Sequence, residues 1–143
     1  MTESLEDIVE TFALLDDWEE RYRYLIELGD ALPAFPIDKM TDTYKVSGCT
    51  SRVWMLVEPV AGVQTRLDIT ATSDARIVRG LVAVILAAYS RRTPDEILAL
   101  DIKALFEKLG LDDHLSPNRR SGFFSMVEKV RTLATAARCV TAT

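Results

Sequence analysis

Apolar residues recur at helical spacing from the start of the chain. Leu5, Ile8, Val9 and Phe12 stand at i, i+3, i+4 and i+7, the spacing of one buried face, and Ser4 is placed to cap the helix they predict. The pair Asp16 and Asp17, with Glu20 as the capping-box partner of Asp17, is placed to cap a second helix in which Trp18, Tyr22, Leu25, Ile26 and Leu32 keep the period until Pro33. Pro33 to Pro36 reads as a connector. Between Tyr44 and Ala71 the helical period disappears. Val53 to Val57 is a compact β-prone run, and Val63, Thr65, Leu67, Ile69 and Ala71 alternate with polar residues. Pro59 and Gly62 lie between these runs as turn residues, so a small antiparallel sheet is expected, half buried under helices.

The helical period returns after Ser73, which is read as an N-cap. Ile77, Val78, Leu81, Val82, Ile85, Leu86 and Tyr89 wrap so widely that this helix is expected to be the most buried element. Thr93-Pro94-Asp95-Glu96 combines a cap, a proline at the first helical position and a capping-box glutamate. Asp101 caps another helix that Gly110 stops in a left-handed conformation, with Leu111 packing behind it. Ser116-Pro117 begins the last helix, along which Phe123, Met126, Val127, Val130, Leu133, Ala134 and Ala137 form an apolar stripe. The tail from Val140 is expected to fray. Neither a repeat nor a linker interrupts the pattern, so residues 1–143 are read as one α+β domain.

Composition narrows what such a domain does. The formal net charge is -5 and the basic residues are scattered, which disfavours nucleic acid as a partner. Acidic residues stand near the N-terminus where a secretory signal would be basic, and no apolar run approaches the roughly 20 residues of a membrane span. A cytoplasmic protein without a membrane partner is expected. Its two cysteines, Cys49 and Cys139, stay reduced there. No phosphate loop, metalloprotease, nucleophile-elbow or EF-hand motif occurs.

Candidate chemistry therefore rests on a thiol. Cys49 follows Gly48 in Val46-Ser47-Gly48-Cys49-Thr50-Ser51-Arg52-Val53-Trp54, at the loop-like junction before the first strand, where glycine permits tight backbone geometry. With an ordinary thiol pKa only about 3% would be thiolate at neutral pH, so a cation such as Arg52 or Arg119 is needed to raise that fraction. A buried, inert Cys49 is the alternative that composition leaves open. His114, the sole histidine, allows a Cys-His pair in principle. Cys139, beside the chain end, is expected to be functionally silent. Asp16/Asp17 and Asp112/Asp113 precede helices and are read as serving helix N-termini, with no metal site implied. Arg91-Arg92 and Arg119-Arg120 are read as helix-terminal or salt-bridging surface residues.

Four separated blocks, Asp17-Trp18-Glu19-Glu20-Arg21-Tyr22, Val46-x-Gly48-Cys49-x-Ser51-x-Val53-Trp54, Ser73-Asp74-Ala75-x-Ile77-Val78-x-Gly80-Leu81 and His114-Leu115-Ser116-Pro117-x-Arg119, strongly resemble the SufE/CsdE family of sulfur acceptors. The resemblance implies a fold similar to NifU/IscU scaffold proteins, with a three-stranded antiparallel sheet packed on helices and the cysteine on a loop. It further implies that Cys49 takes persulfide sulfur from a pyridoxal-phosphate cysteine desulfurase of the SufS/CsdA type. That enzyme is stimulated as its own persulfide is emptied, and the sulfur passes to an iron-sulfur scaffold complex of the SufBCD type.

On this reading the chain binds no cofactor or metal and is not an autonomous enzyme, and self-association is possible. Gly48, Ser51, Arg119 and Asp74 support Cys49. Arg119 positions the loop or partner, and Asp74 stands at a helix start near the loop. Thr50 departs from the glutamine usual in the family after the cysteine. With one cysteine in the motif, cluster assembly on the chain itself is excluded. The alternatives are an interaction module with a structural Cys49 and an autonomous Cys49/His114 thiol transferase.

Overall fold

A computed structural model describes residues 4–48, 51–60 and 66–141. Seven helices and a β-hairpin follow one another in the order α1 (Leu5–Leu14), α2 (Trp18–Asp30), β1 (Val53–Val60), β2 (Arg66–Ser73), α3 (Arg76–Tyr89), α4 (Pro94–Ala99), α5 (Ile102–Lys108), α6 (Leu111–His114) and α7 (Pro117–Thr141). Two 3-10 turns, Ile37–Lys39 and Asp42–Tyr44, lie between α2 and β1.

Local chemistry accounts for most of these boundaries. Ser4 Oγ accepts from the Asp7 amide, Asp17 Oδ1 from that of Glu20, and Asp101 Oδ1 from that of Ala104. Each bond satisfies an amide that has no partner within its helix. Thr93 and Glu96 form a complete capping box. Gly110 adopts φ 73°, ψ 14° between α5 and α6, and the Leu111 behind it is fully buried.

Ser73 does not cap α3. Ala75 is the capping residue, and Ser73 ends β2, donating its hydroxyl to the Arg52 carbonyl at 2.6 Å while accepting from the Ala75 amide at 3.2 Å. Asp112 and Asp113 lie inside the short helix α6, within its first turn.

The expected third strand is absent among the described residues. β1 and β2 pair antiparallel from Val53 opposite Ser73 to Val60 opposite Arg66, and single bridges stand where further strands would be, Lys45 with Trp54 and Leu67 with Arg92. Pro59 belongs to β1, opposite Leu67. Gly62, Val63 and Thr65 lie outside the described residues. Along β2, Leu67, Ile69, Ala71 and Ser73 are buried and the residues between them are not, as period-two alternation requires.

α3 is the buried spine, with ten residues of its 14 shielded from solvent. β2, α1, α2 and α7 all pack on it. At the α2 crossing the backbones touch. A Cβ at Gly80 would overlap the Leu25 carbonyl oxygen, and one at Gly29 would stand 2.7 Å from the Gly80 nitrogen. One contiguous core runs from Ile8 and Phe12 through the sheet and α3 to Phe123, Met126, Val130 and Ala134 of α7. Among the described residues no helix is long and apolar enough to cross a membrane.

Candidate functional site

The segment around Cys49 is pinned at both flanks. Cys49 and Thr50 themselves lie outside the described residues. Upstream, the Val46 amide donates to the Val53 carbonyl at 2.8 Å, so the chain leaves and rejoins the sheet at one place. Gly48, at φ 86°, lies against α7, and its carbonyl accepts from Ser125 Oγ at 3.4 Å.

Downstream, Arg52 is held through its backbone by three bonds. Its amide donates to Asp74 Oδ1 at 3.1 Å, and its carbonyl accepts from the Asp74 amide at 3.2 Å and from the Ser73 hydroxyl. Asp74 thus sits just ahead of α3 and ties the loop's exit to that helix.

Ser51 opens onto a cavity of about 410 Å³ between α3 and the N-terminal half of α7. Val78 and Leu81 of α3 with Phe123 and Met126 of α7 supply its apolar lining, while Ser51, Ser116, Asn118 and Arg119 supply the polar part. α7 begins here because Ser116 Oγ accepts from the Arg119 amide at 3.3 Å, which sets Asn118 and Arg119 in its first turn. Their backbone dipoles and the guanidinium both favour negative charge in this cavity.

The charge distribution of the whole chain adds to this. Ten of the 22 acidic residues but only two of the 17 basic ones fall in the first 30 positions, leaving 12 acidic against 15 basic residues beyond them. The net acidity belongs to the first 30 positions, and the rest of the chain carries a slight cationic excess.

Asp74, just ahead of α3, and Arg119 of α7 therefore stand at the downstream flank of Cys49, the one bonded to Arg52 and the other sharing a cavity with Ser51. His114 does not join them. Its ring stacks on Trp18 at 3.9 Å between centroids, its Nδ1 lies 3.1 Å from the Gly110 carbonyl, and its own carbonyl accepts from the Tyr22 hydroxyl. It stands outside the cavity lining. Among the described residues no cluster of three His, Cys, Asp or Glu side chains suited to a metal ion occurs.

Sequence reasoning missed Ser125 and the apolar cavity wall. Phe123 and Met126 carried a core signal only, and nothing local marks a serine on a long helix as the neighbour of a loop 77 residues away.

The family model described as "SufE: Fe-S metabolism associated domain" matches residues 6–134. The chain belongs to the SufE family. Its work thus lies in iron-sulfur metabolism. An uncharacterized SufE-like protein of Rhizobium etli is 46% identical over 129 residues, covering 90% of this chain and 87% of that protein. Another, of Rhizobium meliloti, is 43% identical over 132 residues, covering 92% and 94%.

The SufE fold is also seen in a likeness to the solution structure of a hypothetical protein from Thermus thermophilus. Its TM-score is 0.72 over 93% of this chain and 94% of that one, at 17% identity. An identity that low speaks for the fold alone.

Proposed function

We propose that the chain is a persulfide carrier: Cys49 takes sulfane sulfur from a pyridoxal-phosphate cysteine desulfurase, thereby stimulates it, and passes the sulfur to an iron-sulfur scaffold complex. The observation that carries this reading is that the flanks of Cys49 are held at Gly48 and Arg52, with Ser51 at a half-apolar cavity that Arg119 makes favourable for an anion.

The chemistry balances without a cofactor on this chain. The Cys49 thiolate attacks the outer sulfur of the desulfurase persulfide, forming a new S–S bond as the old one breaks. The desulfurase leaves as its thiolate and Cys49 holds the persulfide. Reactivity scales with the thiolate fraction, so the Arg119 guanidinium and the first-turn amides of α7 act in the right direction. The apolar wall of Val78, Leu81, Phe123 and Met126, in the cavity onto which Ser51 opens, offers a setting suited to a soft, polarizable sulfur. Because release of the desulfurase's own persulfide limits its cycle in this scheme, emptying it is activation, and the chain needs no turnover of its own.

A desulfurase assay tests this proposal. Alanine formation from cysteine should rise when the chain is added, fall back to the rate of the desulfurase alone with Cys49→Ser, and stay raised with Cys139→Ser. Full stimulation by Cys49→Ser would remove the thiol from the mechanism.

A further inference from the structure

We infer that Ser125 of α7 is a positioning residue for the sulfur-transfer segment, holding the Gly48 carbonyl and so the direction in which the chain enters residue 49. The inference rests on the carrier reading for its functional meaning, while its structural content stands on the Gly48–Ser125 contact itself.

Two independent features of that contact point the same way. Ser125 Oγ donates to the Gly48 carbonyl at 3.4 Å, long for an O–H···O bond and so at the weak end of the range. The packing is tighter than the bond. A Cβ built at position 48 would stand 2.5 Å from Ser125 Oγ and 3.3 Å from Ser125 Cβ, inside the distance that real Cβ atoms tolerate. The left-handed φ of 86° at Gly48 already favours glycine, and any Cβ there would make the Ser125 hydroxyl turn away from its place against this residue.

The placement of Ser125 gives the contact a use. It lies on α7 between two surface hollows. On one side Gly122, Phe123 and Met126 line the cavity onto which Ser51 opens. On the other, Ser125 itself lies with Lys45, Ser47 and Lys129 around a shallower hollow of about 290 Å³. Gly48 therefore meets α7 at Ser125, with Ser47 beside one hollow and Ser51 beside the other. A carbonyl held at that contact constrains the entry to the sulfur-transfer segment. The Asp74 and Ser73 bonds to Arg52 set where the segment ends.

A double-mutant cycle on the full-length chain, with Cys139→Ser throughout, reads this directly. The readouts are the sulfur-loading rate from a desulfurase by intact mass, the Gly48 carbonyl ¹³C shift, and thermal melting. Ser125→Ala should slow loading about two- to fivefold, the range for losing a weak hydrogen bond, and move the Gly48 carbonyl resonance, with the melting temperature lowered by no more than one weak hydrogen bond accounts for. Ser125→Thr, which keeps the hydroxyl, should restore both.

Gly48→Ala should slow loading more with Ser125 in place than in the Ser125→Ala background. The serine hydroxyl 2.5 Å from the new methyl must turn away and release the Gly48 carbonyl, whereas the strain of the left-handed φ is common to both. Equal effects of Gly48→Ala in the two backgrounds, or wild-type loading and an unmoved Gly48 resonance in Ser125→Ala, would overturn the inference. If the wild-type chain accepts no sulfur the carrier reading fails. The Gly48 resonance and the stability cycle then still decide whether Ser125 holds that carbonyl.

Discussion

Tyr89 ends α3 with its side chain fully buried and its hydroxyl without a hydrogen-bond partner of good geometry. Burial pushes its pKa up to about 12, against a smaller downward pull from the Arg131 guanidinium nearby. A folded-state value above the unfolded one means that the folded chain holds the proton more tightly. The contribution is therefore intact below pH 10 and is lost as pH rises through about 12. The alkaline loss of stability between these limits should be smaller in Tyr89→Phe than in the wild type, as read by denaturant midpoints across pH. At pH 7 that substitution should cost under about 1 kcal/mol or add stability, because the buried hydroxyl it removes has the Arg131 guanidinium beside it but no hydrogen bond of good geometry. A loss of about 2 kcal/mol or more would mean that the hydroxyl has a partner.

Tyr89 was legible as a core position from its period, whereas its unpaired hydroxyl was not, since pairing depends on α7 meeting α3. Ser73 shows the same limit. A serine before a helix looks like a cap in the chain, and only the folded loop reveals that its hydroxyl is bonded to Arg52.

Elements were the easiest level to read, because caps and periods are local. Ser4, Asp17, Thr93, Asp101 and Gly110 act where their neighbours in sequence require them. Two features escaped for non-local reasons. A third strand was expected from the family resemblance, but single bridges at Lys45 and Arg92 occupy the sheet's two edges. Gly29 has no turn to mark it, and its role shows only against Gly80 of α3.

That crossing yields a prediction in which two effects compete. Helix propensity favours alanine over glycine by roughly 0.5–1 kcal/mol. Overpacking at a site whose new Cβ meets the Leu25 backbone, with the carbonyl carbon 2.7 Å away, costs about 1–3 kcal/mol and sometimes more. Crowding wins because backbone cannot rotate aside as a side chain can. Gly80→Ala should lower the denaturant midpoint by a net cost of about 1–2 kcal/mol or more, and an unchanged or raised midpoint would show that the helices separate without penalty.

At the scale of the whole molecule, the fold brings Asp74 and Arg119 from separate segments to the loop that holds Gly48 and Ser51, with the net acidity gathered in the first 30 positions. The flanks, Gly48 and Arg52, lie in a segment that the Gly-Cys motif and the four family blocks marked, while Cys49 itself lies outside the described residues. The cavity was not legible, since its walls are ordinary apolar positions of two helices.

The central claim is that Cys49 carries sulfur. Intact mass after mixing the chain with a cysteine desulfurase and cysteine tests it most directly, using wild type, Cys49→Ser and Cys139→Ser. The account predicts an added mass of one sulfur atom in wild type and in Cys139→Ser, absent in Cys49→Ser and removed by a reductant. A folded wild-type chain that gains no sulfur from several desulfurases, or a Cys49→Ser chain that gains it in full, would contradict the account.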